Sequence, residues 1–130
     1  MTGRYYEEFE IGQCIPHAIR HTITQTDNEA FSIFTRNPSP LHLDAEYMKT
    51  SEFGRPIINS CLTLSLMVGI SVADTTMGTA VANLGWDEVR FPRPVFPDDT
   101  LPFETEVIHM RDRRSRPEAG IVTFLHRGFN

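Results

Sequence analysis

The sequence predicts an α+β domain in which an antiparallel sheet wraps around one long central helix. Residues 61–73 are apolar on nearly every side, which is typical of a helix that is covered from several directions. Four other segments have the β-branched residues or the alternation of strands, namely residues 15–24, 80–91, 100–110 and 121–129. In a chain of 130 residues, only a sheet that curls around the helix can cover it.

The segment after the first predicted strand indicates a short helix. Thr26 and Glu29 have the spacing of a capping box, and the apolar residues within 30–34 follow as one helical face. Pro38 and Pro40 then end this helix, because proline has no backbone N–H to donate.

Two further helices are predicted from their caps. Asp44 can cap a helix that runs to Ser51, because an aspartate side chain accepts hydrogen bonds from the first free N–H groups of a helix. Asn59 and Ser60 are both suitable caps for the apolar helix at residues 61–73.

The C-terminal half supplies the sheet. The predicted strands at residues 80–91 and 100–110 are separated by a loop, residues 92–99, that contains three prolines and two aspartates. A charged loop at residues 111–120 leads into the last predicted strand, residues 121–129.

Composition excludes several classes of protein. The length is that of one domain, which we place at residues 1–130. The net charge of −5 leaves no basic surplus for nucleic acid, so we expect no nucleic-acid partner. Cys14 and Cys61 lie far apart and outside any CxxC pattern, so we expect neither a structural zinc site nor a disulfide.

We also expect no targeting signal. Its acidic N-terminus has no apolar core of a signal peptide. Its longest apolar stretch is shorter than the roughly 20 residues that a spanning helix needs. We therefore expect a cytoplasmic protein with no membrane partner.

A loop stiffened by proline gives the strongest chemical signal. Pro38 and Pro40 restrict the backbone around Ser39, so Asn37 and His42 are held in a fixed relation. A histidine in such a loop is a candidate general acid/base near neutral pH. The same features also fit a histidine that only caps or hydrogen-bonds the loop.

Three blocks of the sequence together support a family resemblance. The first block fits the pattern T-G-D-x-N-P-(L/I)-H-x-D at Thr35, Pro40, Leu41, His42 and Asp44. The second is F-G-R-P-I-I at residues 53–58, and the third is G-W-D-E-V-R-F-P-R-P-V at residues 85–95, continued by P-D-D-T-L at residues 97–101. In this order they resemble the MaoC-like dehydratases, the (R)-specific enoyl-CoA hydratase family. The resemblance implies a single hot-dog domain.

The chain departs from the family pattern at positions that take part in the family's reaction. Asn37 stands where the family has its catalytic aspartate, and Arg36 replaces the glycine before it. Ser39 replaces the usual asparagine, and Asn59 with Ser60 replaces the family's His-Gly at the start of the central helix.

The resemblance implies an acyl-CoA hydratase or dehydratase that adds or removes water across the C2–C3 bond of an enoyl-CoA. In the family an aspartate and a histidine share the water. Here Asn37 can orient the water but cannot transfer a proton, so His42 would act as the acid/base. The resemblance also implies that the backbone N–H of Ser60, with Asn59 beside it, polarises the thioester carbonyl at the N-terminus of the central helix.

The departures resemble family members that act on small branched or dicarboxylic acyl-CoAs, such as mesaconyl-CoA hydratase. A carboxylate on the substrate can be bound bidentately by arginine, and the candidates are Arg36, Arg90 and Arg93. We expect no metal and no cofactor other than the coenzyme A that the substrate carries.

The resemblance also leads us to expect one more antiparallel strand after residue 129. Either that strand has been trimmed, or a partner subunit covers the exposed sheet edge. We therefore expect a homodimer or a higher homo-oligomer.

Two other functions stay open. A hot-dog acyl-CoA thioesterase needs a carboxylate or an activated water near the thioester, and the central helix has no carboxylate before Asp74. A non-catalytic subunit that binds acyl-CoA is suggested by the asparagine at position 37.

Overall fold

The computed structural model describes residues 3–113 and 115–130. Residues 1, 2 and 114, which the predicted domain includes, lie outside the described residues. A 3₁₀ turn at Tyr6–Glu8 precedes the regular elements. The α-helices are α1 (Gln25–Phe34), α2 (Pro40–Leu43), α3 (Ala45–Met48) and α4 (Ser60–Thr75). The strands are β1 (Cys14–Pro16), β2 (His21–Thr22), β3 (Thr100–Leu101), β4 (Phe103–Asp112) and β5 (Gly120–Gly128).

The described residues form two compact units. The first contains residues 3–19, 67–85 and 102–129, and the second contains residues 20–66 and 86–101 together with Asn130. These elements, antiparallel strands with a 16-residue helix, confirm the predicted α+β class.

The sheet of the first unit has the strand order β1-β4-β5, and both pairings are antiparallel. On β4 the alternate residues Phe103, Thr105 and Val107 are buried, as the alternation predicts. An irregularity in the pairing of β4 with β5 then shifts the register between Val107 and His109. His109, which the alternation places on the inner face, is therefore exposed.

The core of this unit lies against the sheet. Phe9, Ile15 and Val107 are buried together, and Phe124 packs against them. The rings of Phe9 and Phe124 meet edge to face with their centroids 5.4 Å apart, the geometry that aromatic quadrupoles favour.

The second unit contains the short antiparallel pair β2–β3 and the helices α1 to α3. Its first helix begins two residues earlier than the capping-box prediction at Thr26. Thr24 is the N-cap: its hydroxyl accepts from the Asp27 N–H at 3.1 Å, and the Asp27 carboxylate accepts from the Thr24 N–H at 3.0 Å. Thr24 and Asp27 have the same spacing as Thr26 and Glu29, and these reciprocal bonds decide which pair forms the cap.

The apolar residues of α1 do not form its buried face. Ile33 and Phe34 are 68% and 85% exposed, whereas Asn28 and Ser32 are completely buried. Trp86, a large apolar residue like Phe34, is 51% exposed. The polar pair is buried because its side chains bind backbone and side-chain groups of neighbouring segments, as described below for Asn28.

The other helix predictions hold with shifted ends. Asp44 caps α3 by accepting from the Tyr47 N–H at 2.9 Å, although the helix ends at Met48 instead of Ser51. The central helix α4 begins at Ser60 and extends two residues beyond the predicted end. No helix of the described residues is long and apolar enough to cross a membrane.

The prediction of a strand at residues 80–91 is wrong. Within the described residues this segment forms no strand, and each of its residues is exposed. Alternation favours an extended chain, but a strand forms only where a second backbone supplies the ladder of hydrogen bonds.

Two other predicted strands are each interrupted. Residues 15–24 form β1 and β2 with a break between them, and the strand predicted at residues 100–110 divides at Pro102, which has no N–H for a ladder.

Candidate active site

The end of α1 places the loop that leads to His42. The Arg36 N–H donates to the Ile33 carbonyl at 3.1 Å, and the Asn37 N–H donates to the Ser32 carbonyl at 2.8 Å. This pair of bonds is a Schellman motif, which requires a left-handed residue just after the helix. Arg36 occupies that position with a φ of 61° and an exposed side chain. The family's glycine at this position fits the same backbone without strain.

The loop after Arg36 is ordered by two side-chain caps. The Asn37 Oδ1 accepts from the Ser39 N–H at 3.0 Å, and the Ser39 hydroxyl accepts from the Leu41 N–H at 3.3 Å at the start of α2. The Asn37 Nδ2 group has no hydrogen-bond partner among the described residues. It is therefore available to donate to a bound water or to a substrate.

His42 is the third residue of α2 and does not lie in the loop where the sequence places it, and its side chain is buried. Its Nδ1 lies 2.8 Å from the carbonyl oxygen of Ile57. Because a carbonyl oxygen only accepts, Nδ1 must carry the hydrogen, and in the neutral ring Nε2 then has the free lone pair. In the part of the chain that the structure describes, no group bonds to Nε2.

Asn28 connects His42 with the segment before α4. Its Nδ2 donates to the carbonyls of His42 at 3.1 Å and Ile57 at 3.0 Å, and its Oδ1 accepts from the Asn59 N–H at 2.8 Å. The Gln25 amide adds a bond of 2.7 Å to the same His42 carbonyl. The buried amide of Asn28 therefore holds the backbone on which the imidazole and the start of α4 depend.

The start of α4 leaves one N–H group unused. Asn59 is buried, its Oδ1 accepts from the Cys61 N–H at 3.0 Å, and its Nδ2 donates to the Ser32 hydroxyl at 3.3 Å. Asn59 thus acts as a helix cap. The N–H of Ser60 has no acceptor among the described residues, so it can bind an oxygen at the positive end of the helix dipole.

A cavity of about 260 Å³ opens beside Ser60 in the second unit. The described residues around it are mostly apolar, and Arg93 is the only charged one among them. They are Phe53, Ile57, Ile58, Ser60, Thr63, Phe91, Pro92, Arg93, Pro94 and Val95.

The predicted site residues are therefore brought together only in part. Ser60 and Arg93 line the cavity, and Ile57 connects it to His42 through its carbonyl. The other predicted site residues are not among those that line it, namely His42, Asn37, Asn59, Arg36 and Arg90. Arg90 is exposed and pairs with the Glu88 carboxylate at 2.5 Å.

A second polar cluster, in the first unit, was not predicted from the sequence. His17 Nδ1 lies 2.7 Å from the Asp74 carboxylate, and His17 Nε2 lies 2.7 Å from the Thr105 hydroxyl. The same hydroxyl lies 2.8 Å from His126 Nδ1. Burial, reinforced by repulsion from His17, lowers the pKa of His126 to about 4. Thr105 is completely buried, so this Asp-His-Thr arrangement does not present a nucleophile to a substrate.

Comparison with known proteins identifies the class. The family model described as a MaoC-like domain matches residues 8–127. The chain therefore belongs to the MaoC-like domain family.

Individual relatives agree with this assignment. The chain is 30% identical over 128 residues to a mesaconyl-CoA hydratase of Cereibacter sphaeroides, which covers 98% of this chain and 37% of that protein. It is 33% identical over 94 residues to the (R)-specific enoyl-CoA hydratase of Aeromonas caviae, which covers 72% of this chain and 67% of the relative. The chain spans about a third of the length of the first two curated relatives that it matches.

A solved structure supports the fold. The X-ray structure of a monoamine oxidase regulatory protein from Archaeoglobus fulgidus matches with a TM-score of 0.85 and 32% identity, over 97% of this chain and 83% of that one. This likeness confirms the predicted hot-dog fold class.

Proposed function

We propose that the chain is an acyl-CoA hydratase or dehydratase domain, a hydro-lyase that adds or removes water across the C2–C3 bond of an enoyl-CoA. The observation that carries this proposal is the hydrogen bond from His42 Nδ1 to the Ile57 carbonyl, which leaves Nε2 free as a base. The names of the curated relatives support the reaction class. In this proposal the reaction needs no cofactor beyond the substrate's coenzyme A, and it takes place in the cytoplasm.

The chemistry assigns one role to each group. In hydration, His42 Nε2 takes a proton from water as the water oxygen bonds to C3, and the C2–C3 π electrons move towards the thioester oxygen. The resulting enolate oxygen accepts from the Ser60 N–H, at the positive end of α4. The imidazolium then returns the proton to C2, which restores the thioester and leaves His42 neutral.

Asn37 assists without titrating. Its Nδ2 donates to the attacking water and fixes the direction of the lone pair, but an amide neither takes nor gives a proton at neutral pH. The histidine therefore performs both proton transfers.

The substrate is a small acyl-CoA, branched or dicarboxylic, of the type of mesaconyl-CoA. The cavity of about 260 Å³ is slightly smaller than most small-molecule sites, which favours a short acyl group. Arg93 supplies a positive charge beside the mostly apolar lining, in a position suited to a carboxylate. Arg36 and Arg90, which do not line the cavity, are further candidates for the same role.

The working form is a homodimer or a higher homo-oligomer. Val81, Leu84, Trp86, Val89 and Phe91 are exposed on a segment that lacks a strand partner in the described chain. A second copy of the chain would cover these side chains and supply a backbone for pairing. Light scattering that gives the mass of a monomer with full activity would contradict this part of the proposal.

One experiment separates the candidate functions. The chain is given crotonyl-CoA and mesaconyl-CoA, and both the loss of the conjugated enoyl thioester and the release of free CoA thiol are followed. A hydratase consumes the enoyl thioester without thiol release, and this is the expected result. Thiol release alone would favour the thioesterase, which lacks support because no carboxylate is among the described residues lining the cavity.

The non-catalytic alternative is tested by Asn37→Asp. In a hydratase this change adds a titrating group beside the water, so it alters the rate or its pH dependence. In a subunit that only binds acyl-CoA, neither the wild type nor the variant turns over, although ligand still raises the melting temperature.

A further inference from the structure

Thr63 lines the cavity, and its hydroxyl has no hydrogen-bond partner among the described residues. It lies in the first turns of α4 and lines the cavity together with Ser60. Its Oγ1 is the only buried side-chain nitrogen or oxygen of the described residues that has no hydrogen-bond partner. A buried hydroxyl without a partner is unfavourable, because it has lost its bonds to water and gained none in return.

The rest of α4 shows how such hydroxyls are usually satisfied. Ser65 donates to the Cys61 carbonyl at 2.8 Å, and Thr75 donates to the Ser71 carbonyl at 2.7 Å. These are the local bonds that serine and threonine form inside helices. Thr63 does not form the corresponding bond.

The local acceptor for Thr63 is already used. The carbonyl four residues earlier belongs to Asn59, and it accepts from the N–H groups of both Leu62 and Thr63. The hydroxyl is therefore left for a partner that the chain itself does not supply.

The position of Thr63 relative to Ser60 indicates what that partner is. Residues three apart lie on the same helix face, about 4.5 Å apart along the axis. If the Ser60 N–H binds the thioester oxygen, Thr63 lies one helical turn from that oxygen, within reach of an acyl group held in the cavity. Apart from the hydroxyls of Ser60 and Thr63, Arg93 is the only polar side chain among the described residues that line the cavity.

We propose that the Thr63 hydroxyl donates a hydrogen bond to a carboxylate on the acyl group, which Arg93 also binds, and that Thr63 thereby selects dicarboxylic enoyl-CoA substrates. This inference rests on the proposed function, since it places the thioester at Ser60. It assigns to Thr63 a role that the motif resemblance does not give it.

The test compares two substrates in one variant. Thr63→Val keeps the shape of the side chain and removes only the hydroxyl. We expect the ratio of kcat/KM for mesaconyl-CoA to kcat/KM for crotonyl-CoA, which has no second carboxylate, to fall about ten- to a hundredfold. Thr63→Ser keeps the hydroxyl and should retain most of the ratio. Ser65→Ala is the matched control, since Ser65 does not line the cavity, and it should leave the ratio unchanged.

A ratio in Thr63→Val equal to that of the wild type would overturn the proposal. So would an equal loss on both substrates, because the hydroxyl would then serve catalysis or packing and not selection. If Thr63→Val does not fold, Thr63→Ala provides the same comparison.

Failure of the proposed function gives a different result. If the wild type hydrates neither substrate, calorimetric binding of the two CoA esters replaces the rates. A wild-type preference for mesaconyl-CoA that Thr63→Val loses would then support the Thr63 assignment and reject the hydratase. Equal binding of both esters by both proteins would reject the Thr63 assignment as well.

Discussion

Arg36 has a backbone conformation that an arginine rarely adopts. Its φ of 61° lies in the left-handed region, where a side chain clashes with its own backbone. The Schellman motif fixes this conformation, so the strain persists in the folded state. The arginine thus occupies a position that its backbone preference disfavours, which is consistent with the proposal that its charge is used.

Arg36→Gly should raise the free energy of unfolding by about 1 kcal/mol, because glycine adopts this conformation without the Cβ clash. The greater freedom of glycine in the unfolded chain reduces the gain. Urea denaturation measures the change. Thr35→Gly is the control: Thr35 has a φ of −86° and donates its hydroxyl to the Phe31 carbonyl, so this variant should be destabilised. A loss of stability in Arg36→Gly would contradict the account.

Single residues were predictable where the chemistry shows in the residue type. The motif blocks suggested His42 and Ser60, and residue type suggested Arg93. The structure gives His42 a free ring nitrogen and places Ser60 and Arg93 at the cavity, and their roles stay predictions. Thr63 could not be found in this way, because nothing in a sequence shows which helical hydroxyl finds its local carbonyl already occupied.

At the scale of elements, α1 shows that a polar face can be the buried one. Asn28 and Ser32 are four residues apart, so they share a helix face, and both are completely buried. This spacing was a usable signal in the sequence. The apolar residues beside them suggested the opposite face, and the periodicity alone could not show that the Asn28 side chain binds backbone groups on two other segments.

Asn28→Ala should lower the free energy of unfolding by about 3 kcal/mol, because it leaves the buried Asn59 N–H without its acceptor. Chemical denaturation provides the measurement. Gln25→Ala is the matched control: it removes one bond to the same His42 carbonyl from a half-buried side chain, and it should lower stability by about 1 kcal/mol. Equal losses in the two variants would show that Asn28 is an ordinary helix residue.

The strand predicted at residues 80–91 does not form in the described residues. The segment contains valine and aromatic residues that favour strands, but a strand depends on a partner backbone that local sequence does not specify. The strand predicted at residues 15–24 is interrupted at residues 17–20, and the strand predicted at residues 100–110 is interrupted at Pro102. Both interruptions are short, so they shift the ends of strands without changing the class of the fold.

At the scale of the whole molecule, stability should depend on pH through His126. Burial and repulsion from His17 lower its folded-state pKa from 6.5 to about 4. Above pH 6.5 the imidazole is neutral in both states. As the pH falls from 6.5 to 4, the unfolded chain takes up a proton that the folded chain does not, so the free energy of unfolding falls.

This loss should amount to about 2 kcal/mol, since one pKa unit corresponds to about 1.4 kcal/mol and partial exposure of the ring reduces the full value. Urea denaturation of the wild type and of His126→Gln at pH 7 and at pH 4.5 gives the comparison. The wild type should lose more stability than the variant over this interval. Equal losses would show that His126 titrates normally in the folded protein.

The class of the whole fold was predictable because it depends on a few strong features. The apolar helix, the later alternating strands and the ordered motif blocks all indicated one architecture, and the family model and the structural likeness agree with it. The cavity and its lining depend on packing between segments distant in sequence, so its size could not be read from the sequence.

The central claim is that His42 transfers the protons of hydration. The most direct test is kcat/KM for mesaconyl-CoA hydration by the wild type and by His42→Gln, whose amide can still donate to the Ile57 carbonyl. Circular dichroism and melting temperature provide the check that the variant remains folded. General acid/base groups contribute roughly a hundred- to ten-thousandfold, so we expect a loss of at least about a hundredfold. A folded His42→Gln whose kcat/KM stays within about threefold of the wild type would contradict the account, since removal of the group that transfers the protons should lower kcat/KM far more.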